Sequence, residues 1–345
     1  MKRFRRLALR LAAVFLLLFL AFLGVVGWLG SSKLISPQRR GLQDYHREIL
    51  ASPANYGLKI ESFTGTGNTP CLLVTPAAQP GEAKKSRILR EELEKRGVRT
   101  PPWGEITGTV VLLHGHGGRK EDHLPICERF CAAGFRCIVL DLPGQGEHPA
   151  VFGTFGVKEA PLVEKLFDEA AARFVFAPSP AYLFGISQGG AIALQTAART
   201  PGKWQAVASL ATFCSLNRPV ENSAFYRTPA CVRFSSPAFA FSVACGARLR
   251  AGFWTTDVRP VDAAAKLRMP VFIGHGECDT FIGIDQGREI FAAIPASRKQ
   301  FRMIEGADHN DVLSKGSHTL YADLCQFFLE SQNATAGGAT AERAE

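Results

Sequence analysis

The nine cysteines of this 345-residue chain form no Cys-x-x-Cys pair, and no His/Cys cluster has zinc-site spacing. A structural zinc or a dithiol redox motif is therefore excluded, and nothing in the sequence asks for a metal or other cofactor. Cys127 and Cys131 fall four apart on a predicted helix, where a disulfide is geometrically awkward. Cys231 and Cys245 are the pair to consider if the domain lies in an oxidising compartment. Acidic residues are missing from the first 40 positions, and no charge of either sign occurs from Leu11 to Gly30. Of the net charge of +9, eight cations without an acid lie in residues 1–40, which leaves +1 for residues 41–345. No extended basic face with interleaved aromatics exists, so nucleic acid is excluded as a partner. At 46% hydrophobic and 21% charged residues the chain is globular.

The uncharged run is twenty residues long. At about 1.5 Å per residue it spans the hydrocarbon core of a bilayer. With Met1–Arg10 as its basic flank, residues 11–30 are expected to be a single transmembrane anchor, the N-terminus cytoplasmic and the remainder of the chain extracytoplasmic. The rival is a cleaved signal peptide and a secreted domain. A signal's apolar region is about 7–15 residues and ends in an Ala-x-Ala-like site, and neither feature fits here. Residues 31–55 read as a juxtamembrane segment, with a short surface helix over Gln38–Leu50.

From residue 56 to 331 one domain is expected. Leu58–Thr64 and Cys71–Thr75 read as early strands, separated by the turn residues Gly65, Gly67, Asn68 and Pro70. Ala77–Gly108, with a charged helical patch over Lys84–Arg96, reads as a solvated insertion without chemistry. Thereafter strands Val110–Leu113, Arg136–Asp141, Ala181–Ile186, Ala206–Leu210, Val271–Ile273 and Gln300–Ile304 alternate with helices. Apolar strands alternating with helices predict an α/β fold, a mostly parallel, doubly wound sheet covered on both faces. Cys214–Met269 breaks the rhythm and is too long for a simple loop, and residues 332–345 read as a disordered tail.

In such sheets functional groups collect at the carboxyl ends of strands. Gly185-Ile186-Ser187-Gln188-Gly189 joins an apolar strand to a helix, so Ser187 is expected on a strained turn with its hydroxyl clear of the sheet. Serine needs a base, and the base needs a carboxylate to fix its tautomer. Asp279, in Gly276-Glu277-Cys278-Asp279, and His309, in Gly306-Ala307-Asp308-His309, follow two later strands in the order Ser…Asp…His. Glu277 and Asp308 compete for the acid's place; Asp308 adjoins the base, and sequence neighbours seldom orient each other's side chains. His114-Gly115-His116-Gly117-Gly118 ends another strand. The backbone N–H groups of His116 and Gln188 are the candidate oxyanion donors, while the His114 ring reads as a structural hydrogen-bonder.

Together with Asp141-Leu142-Pro143-Gly144-Gln145-Gly146, these motifs resemble those of the α/β-hydrolases over about Tyr56–Leu329. The likeness extends to membrane-anchored bacterial serine esterases and the prolyl-oligopeptidase-like group. It implies nucleophile Ser187, acid Asp279 and base His309, a usually structural role for Asp141, and a cap over about 214–269. Phe234, Phe239, Phe241, Phe253 and Trp254 in that cap are either its own core or an acyl pocket. The activity implied is hydrolysis of a carboxylic ester, on a small-molecule or lipid-like substrate, through an acyl-enzyme. The alternatives are a serine peptidase or amidase on the same groups and a non-catalytic membrane scaffold.

Overall fold

The computed structural model describes the backbone of residues 2–341 and the side chains of residues 3–332. Helix α1 (Lys2–Ile35) is followed by an extended stretch and α2 (Asp44–Ala51). Gly41 falls inside the stretch Gln38–Leu50 where a helix was expected, and α2 starts only at Asp44, where the Gln43 N–H donates to His46 Nδ1 (3.1 Å). Then come β1 (Leu58–Gly65), β2 (Thr69–Pro76), α3 (Lys84–Lys95), β3 (Gly108–Leu113), α4 (Leu124–Ala132), β4 (Phe135–Leu140), α5 (Glu159–Arg173), β5 (Ala181–Ile186), α6 (Gln188–Arg199) and β6 (Ala206–Leu210). After β6 the chain forms α7 (Asn217–Arg227), α8 (Ser236–Ala251) and α9 (Pro260–Ala264). It returns through β7 (Val271–Gly276), α10 (Ile284–Ala293), β8 (Lys299–Ile304) and α11 (Val312–Ala341). The stretch read as a tail thus lies partly on α11, and residues 342–345 fall outside the described residues.

The eight strands form one sheet in the order β1-β2-β4-β3-β5-β6-β7-β8, in which only β2 runs antiparallel to its neighbours. Alternation between two buried faces explains why the central strands β3, β5 and β6 are mostly apolar, while the edge strands β1 and β8 carry charged, exposed residues. Val110 and Leu112 point into a core with Phe130, Tyr182 and Phe328, while Val111 and Leu113 point into a second core with Phe167, Ile192 and Trp204. Both faces are covered, as the sequence rhythm implied.

Two readings of the sequence need correction. The charged patch is not wholly solvated: α3 buries Leu89 and Leu93 in the core it shares with α4 and α11, and Arg90 stacks over Trp103 at 4.3 Å. Its period-3.6 apolar stripe is narrow and easily lost among eight charged neighbours. All nine cysteines are free. Cys231 and Cys245 lie fourteen positions apart on a nearly continuous helical run, which separates them by roughly 20 Å, far beyond disulfide reach.

Candidate active site

The carboxyl ends of β3, β4, β5, β7 and β8 bring their loops together at one edge of the sheet. The tightest is the turn after β5. Ser187 has φ 54° and ψ −117°, a left-handed conformation that a residue with a side chain adopts only under constraint. The constraint is steric. A Cβ on Gly189 would stand 1.9 Å from the Leu113 carbonyl oxygen, and one on Gly185 would stand 2.2 Å from the Gly189 backbone. Strand and helix can approach this closely only because both positions are glycine.

His309, on the loop after β8, bridges two neighbours. Its Nε2 lies 3.1 Å from Ser187 Oγ, and its Nδ1 lies 2.8 Å from Asp279 Oδ2. Asp279 Oδ1 accepts the backbone N–H groups of Phe281 (3.0 Å) and Ile282 (2.7 Å). With both carboxylate oxygens bonded, the group has one orientation. Burial disfavours its charge, but the imidazoles of His275 and His309 and the Ile282 N–H outweigh this and hold its pKa below the usual carboxylate range. The two rival acids are occupied elsewhere. Glu277 Oε2 accepts the Gly306 N–H (3.0 Å), and the Asp308 carboxylate accepts the backbone N–H of His309.

The loop after β3 approaches the serine from the other side, where a Cβ on Gly115 would touch Ser187 Cβ at 3.7 Å. His114 is buried; its Nδ1–H donates to Gly115 O (2.8 Å) and its Nε2 accepts the Leu142 N–H (3.0 Å). That ring ties the β3 and β4 loops together and is turned away from the serine. Asp141 is buried and accepts the Lys120 backbone N–H (2.7 Å), Lys120 Nζ (3.0 Å) and the Glu147 N–H (2.9 Å), which fixes the β4 loop.

Several residues here carried no signal in the sequence. Gln145 Oε1 accepts the Gly117 N–H (2.6 Å), and its Nε2 donates to Gln188 Oε1 (3.1 Å). One side chain therefore spaces the loop that carries His116 from the residue after Ser187. Glutamine in a Gly-x-Gly turn announces no such role; only the fold brings its two partners together. Replacing Gln145 with Ala is expected to lower kcat about tenfold with little change in KM, measured by steady-state kinetics, the result required by oxyanion roles for the His116 and Gln188 N–H groups. Residues 34–40, at and after the end of α1, touch both this loop and the one after β4. Arg40 donates to Gly117 O (2.8 Å), the His116 ring Nε2–H donates to Leu34 O (2.8 Å), and Gly153 N–H donates to Ile35 O (2.7 Å).

A cavity of about 580 Å³ opens at Ser187 and Gln188. Its lining is apolar, and the charged residues in it are Lys33 and Arg227. The five cap aromatics divide three ways. Phe239 lines the cavity, Phe253 is buried, and Phe234, Phe241 and Trp254 face outward, with Phe234 85% exposed.

These features define the class of fold: the chain has the α/β-hydrolase fold. A family model described as serine aminopeptidase, S33, matches residues 104–243. Among solved structures, an esterase of Pyrococcus furiosus is 13% identical and superposes with a TM-score of 0.57, over 85% of this chain and 96% of that one. A membrane phospholipase A, described as a bacterial virulence factor, is 17% identical with a TM-score of 0.52, over 96% of this chain and all of that one. An acylaminoacyl peptidase of Pyrococcus horikoshii is 12% identical with a TM-score of 0.53, over 84% of this chain and 43% of that one. No curated protein matches by sequence. Neighbours with three different activities share one sheet, so the fold fixes the scaffold and leaves the substrate to the site.

Proposed function

We propose that the protein is a membrane-anchored serine hydrolase that cleaves carboxylic esters through an acyl-enzyme. The observation that carries this reading is the hydrogen-bonded chain Ser187–His309–Asp279 at the mouth of an apolar cavity. Ser187 Oγ attacks the ester carbonyl and His309 Nε2 takes its proton. Asp279 holds the proton on Nδ1 and supports the imidazolium that forms. The backbone N–H groups of His116 and Gln188 receive the oxyanion, the latter at the N-terminus of α6. His309 then protonates the leaving alcohol, and water reverses the sequence to release the acid.

The matched family's description favours the second reading, an aminopeptidase. That chemistry must hold a substrate ammonium beside the serine, which calls for a carboxylate. The charged residues lining the cavity are Lys33 and Arg227, which repel an ammonium and favour the ester reading. The anchor is supported by the length and apolarity of Arg3–Ile35. That it stays uncleaved is supported by its end lining the cavity, and the basic flank supports a cytoplasmic N-terminus with the catalytic domain outside.

A panel of p-nitrophenyl esters beside aminoacyl p-nitroanilides tests the reaction class. Ester turnover is expected to exceed anilide turnover by at least about 100-fold, and Ser187→Ala to lower kcat on esters by roughly 10⁴-fold or more. Faster cleavage of an aminoacyl anilide would overturn the ester assignment. Equal turnover by wild type and Ser187→Ala would overturn the hydrolase.

A further inference from the structure

The anchor helix does not end at the membrane surface as a simple tether. From Phe22 onward it packs side by side with α8. Phe22 meets Phe239 edge-on at 5.7 Å, and Gly27 lies against the Ser242 carbonyl. Gly246 lies against Gly27 O and Ser31, and Arg250 covers the Trp28 ring at 4.1 Å while donating to Ser32 Oγ (2.6 Å). Small residues at the crossing let the backbones close in, as in helix pairs within membranes. The register is parallel, so the start of α8 lies at the level of Phe22. That level is eight residues before Gly30, the end of the uncharged run, or about 12 Å along the helix.

The cap therefore reaches the depth of the bilayer's outer leaflet. Residues Ala230–Ala251 are themselves apolar and long enough to cross a membrane, and their outward side carries Phe234 (85% exposed) and Phe241 (66% exposed), with Tyr226 (73% exposed) on α7. The cavity at Ser187 lies between these elements. One wall is Phe22, Val26 and Leu29 of the anchor, and Lys33 and Arg227 are its cations.

We propose that the outer end of the anchor helix is one wall of an acyl-binding site that loads sideways from the bilayer. Its substrate is a long-chain acyl lipid with an anionic head group. The acyl chain lies against Val26 and Leu29 with its ester at Ser187, and Lys33 and Arg227 take the anion. The assignment of a substrate rests on the hydrolase reading above; the lipid site itself does not.

Full-length protein in nanodiscs supplies two tests. In the first, Val26→Trp and Leu29→Trp fill the wall, and the turnover ratio of dodecanoate to butyrate p-nitrophenyl ester is expected to fall at least about tenfold, the worth of two buried methylenes. An unchanged ratio in both variants overturns the wall. The second test needs no turnover. Ser187→Ala protein is irradiated with a diazirine-acyl phosphatidylglycerol, and the adducts are mapped by mass spectrometry. Adducts on Leu216–Val220, inside the cap, together with Val26–Leu29 are expected. They should be several-fold stronger than with the phosphatidylcholine analogue, and the difference should vanish in Arg227→Ala. Adducts confined to residues 11–21 overturn the site, and equal labelling by both lipids overturns the anionic head group. Labelling without ester turnover in the wild type would overturn the hydrolase and keep the lipid site.

Discussion

Replacing Asp279 with Asn is expected to lower kcat/KM for a butyrate ester by roughly 10⁴-fold while the protein stays folded. The size follows from which oxygen does what. Oδ1 is held by the Phe281 and Ile282 N–H groups, so an asparagine must keep its oxygen there and turn its amide nitrogen to His309. That nitrogen can only donate, so Nδ1 becomes the acceptor and the ring proton moves to Nε2, which faces Ser187 Oγ at 3.1 Å. The base then confronts the nucleophile with the wrong tautomer. A loss below about tenfold would mean that Asp279 does not orient the imidazole. The same substitution has a pH signature. The native carboxyl is held below its ordinary value of 3.8, so the unfolded chain takes up the proton first as pH falls. The stability this group contributes is full above about pH 4 and is lost on acidification below it. Urea midpoints of wild type and Asp279→Asn should therefore converge between pH 6 and pH 3. A gap that widens over that range would contradict the assigned direction.

Among the described glycines, Gly189 is the one where an added methyl, as in Gly189→Ala, would come closest to other atoms. Its Cβ would lie 1.9 Å from Leu113 O, 2.5 Å from Leu113 C and 2.7 Å from His114 O. All three are backbone atoms at the end of a central strand, so no side-chain rotation relieves the clash. Overpacking a core costs about 1–3 kcal/mol where side chains can yield. Here the cost is expected to exceed about 3 kcal/mol, read as a fall in the urea midpoint. Any folded fraction should have lost at least about 100-fold in kcat, because relief requires moving the loop that carries His116. Gly41→Ala, at an exposed position with open space around it, is the control and should stay within about 0.5 kcal/mol of wild type. Equal stability of the two variants would mean that the turn is looser than its geometry implies.

The sheet was legible because strands buried on both faces must be apolar throughout, and their spacing between helical segments leaves little choice of architecture. Ser187, Asp279 and His309 were legible because each sits just past a strand end, and that placement alone brings them within bonding distance. The positions of the N-terminal apolar helix and the cap insertion were legible too, but what they pack against was not. Twenty apolar residues look the same whether lipid or another helix covers them, so nothing in Leu11–Gly30 marks Val26 and Leu29 as a cavity wall. The pairing of Gly27 with Ser242 joins positions 215 apart in the chain, which no local pattern encodes. The cap aromatics mislead for a related reason: Phe234, Phe241 and Phe253 are chemically alike, and only the fold sends two outward and one inward. Gln145 and Arg40 act through backbone carbonyls and amides of distant loops, a use of side chains without a sequence signature.

The proposed reaction requires Ser187 to be an activated nucleophile. Incubating the full-length protein in detergent with a fluorophosphonate and mapping the adduct by mass spectrometry tests it most directly. One stoichiometric adduct is expected, on Ser187, lost in Ser187→Ala and slowed by orders of magnitude in Asp279→Asn. An unlabelled wild type, or an adduct on any other residue that survives Ser187→Ala, would contradict it.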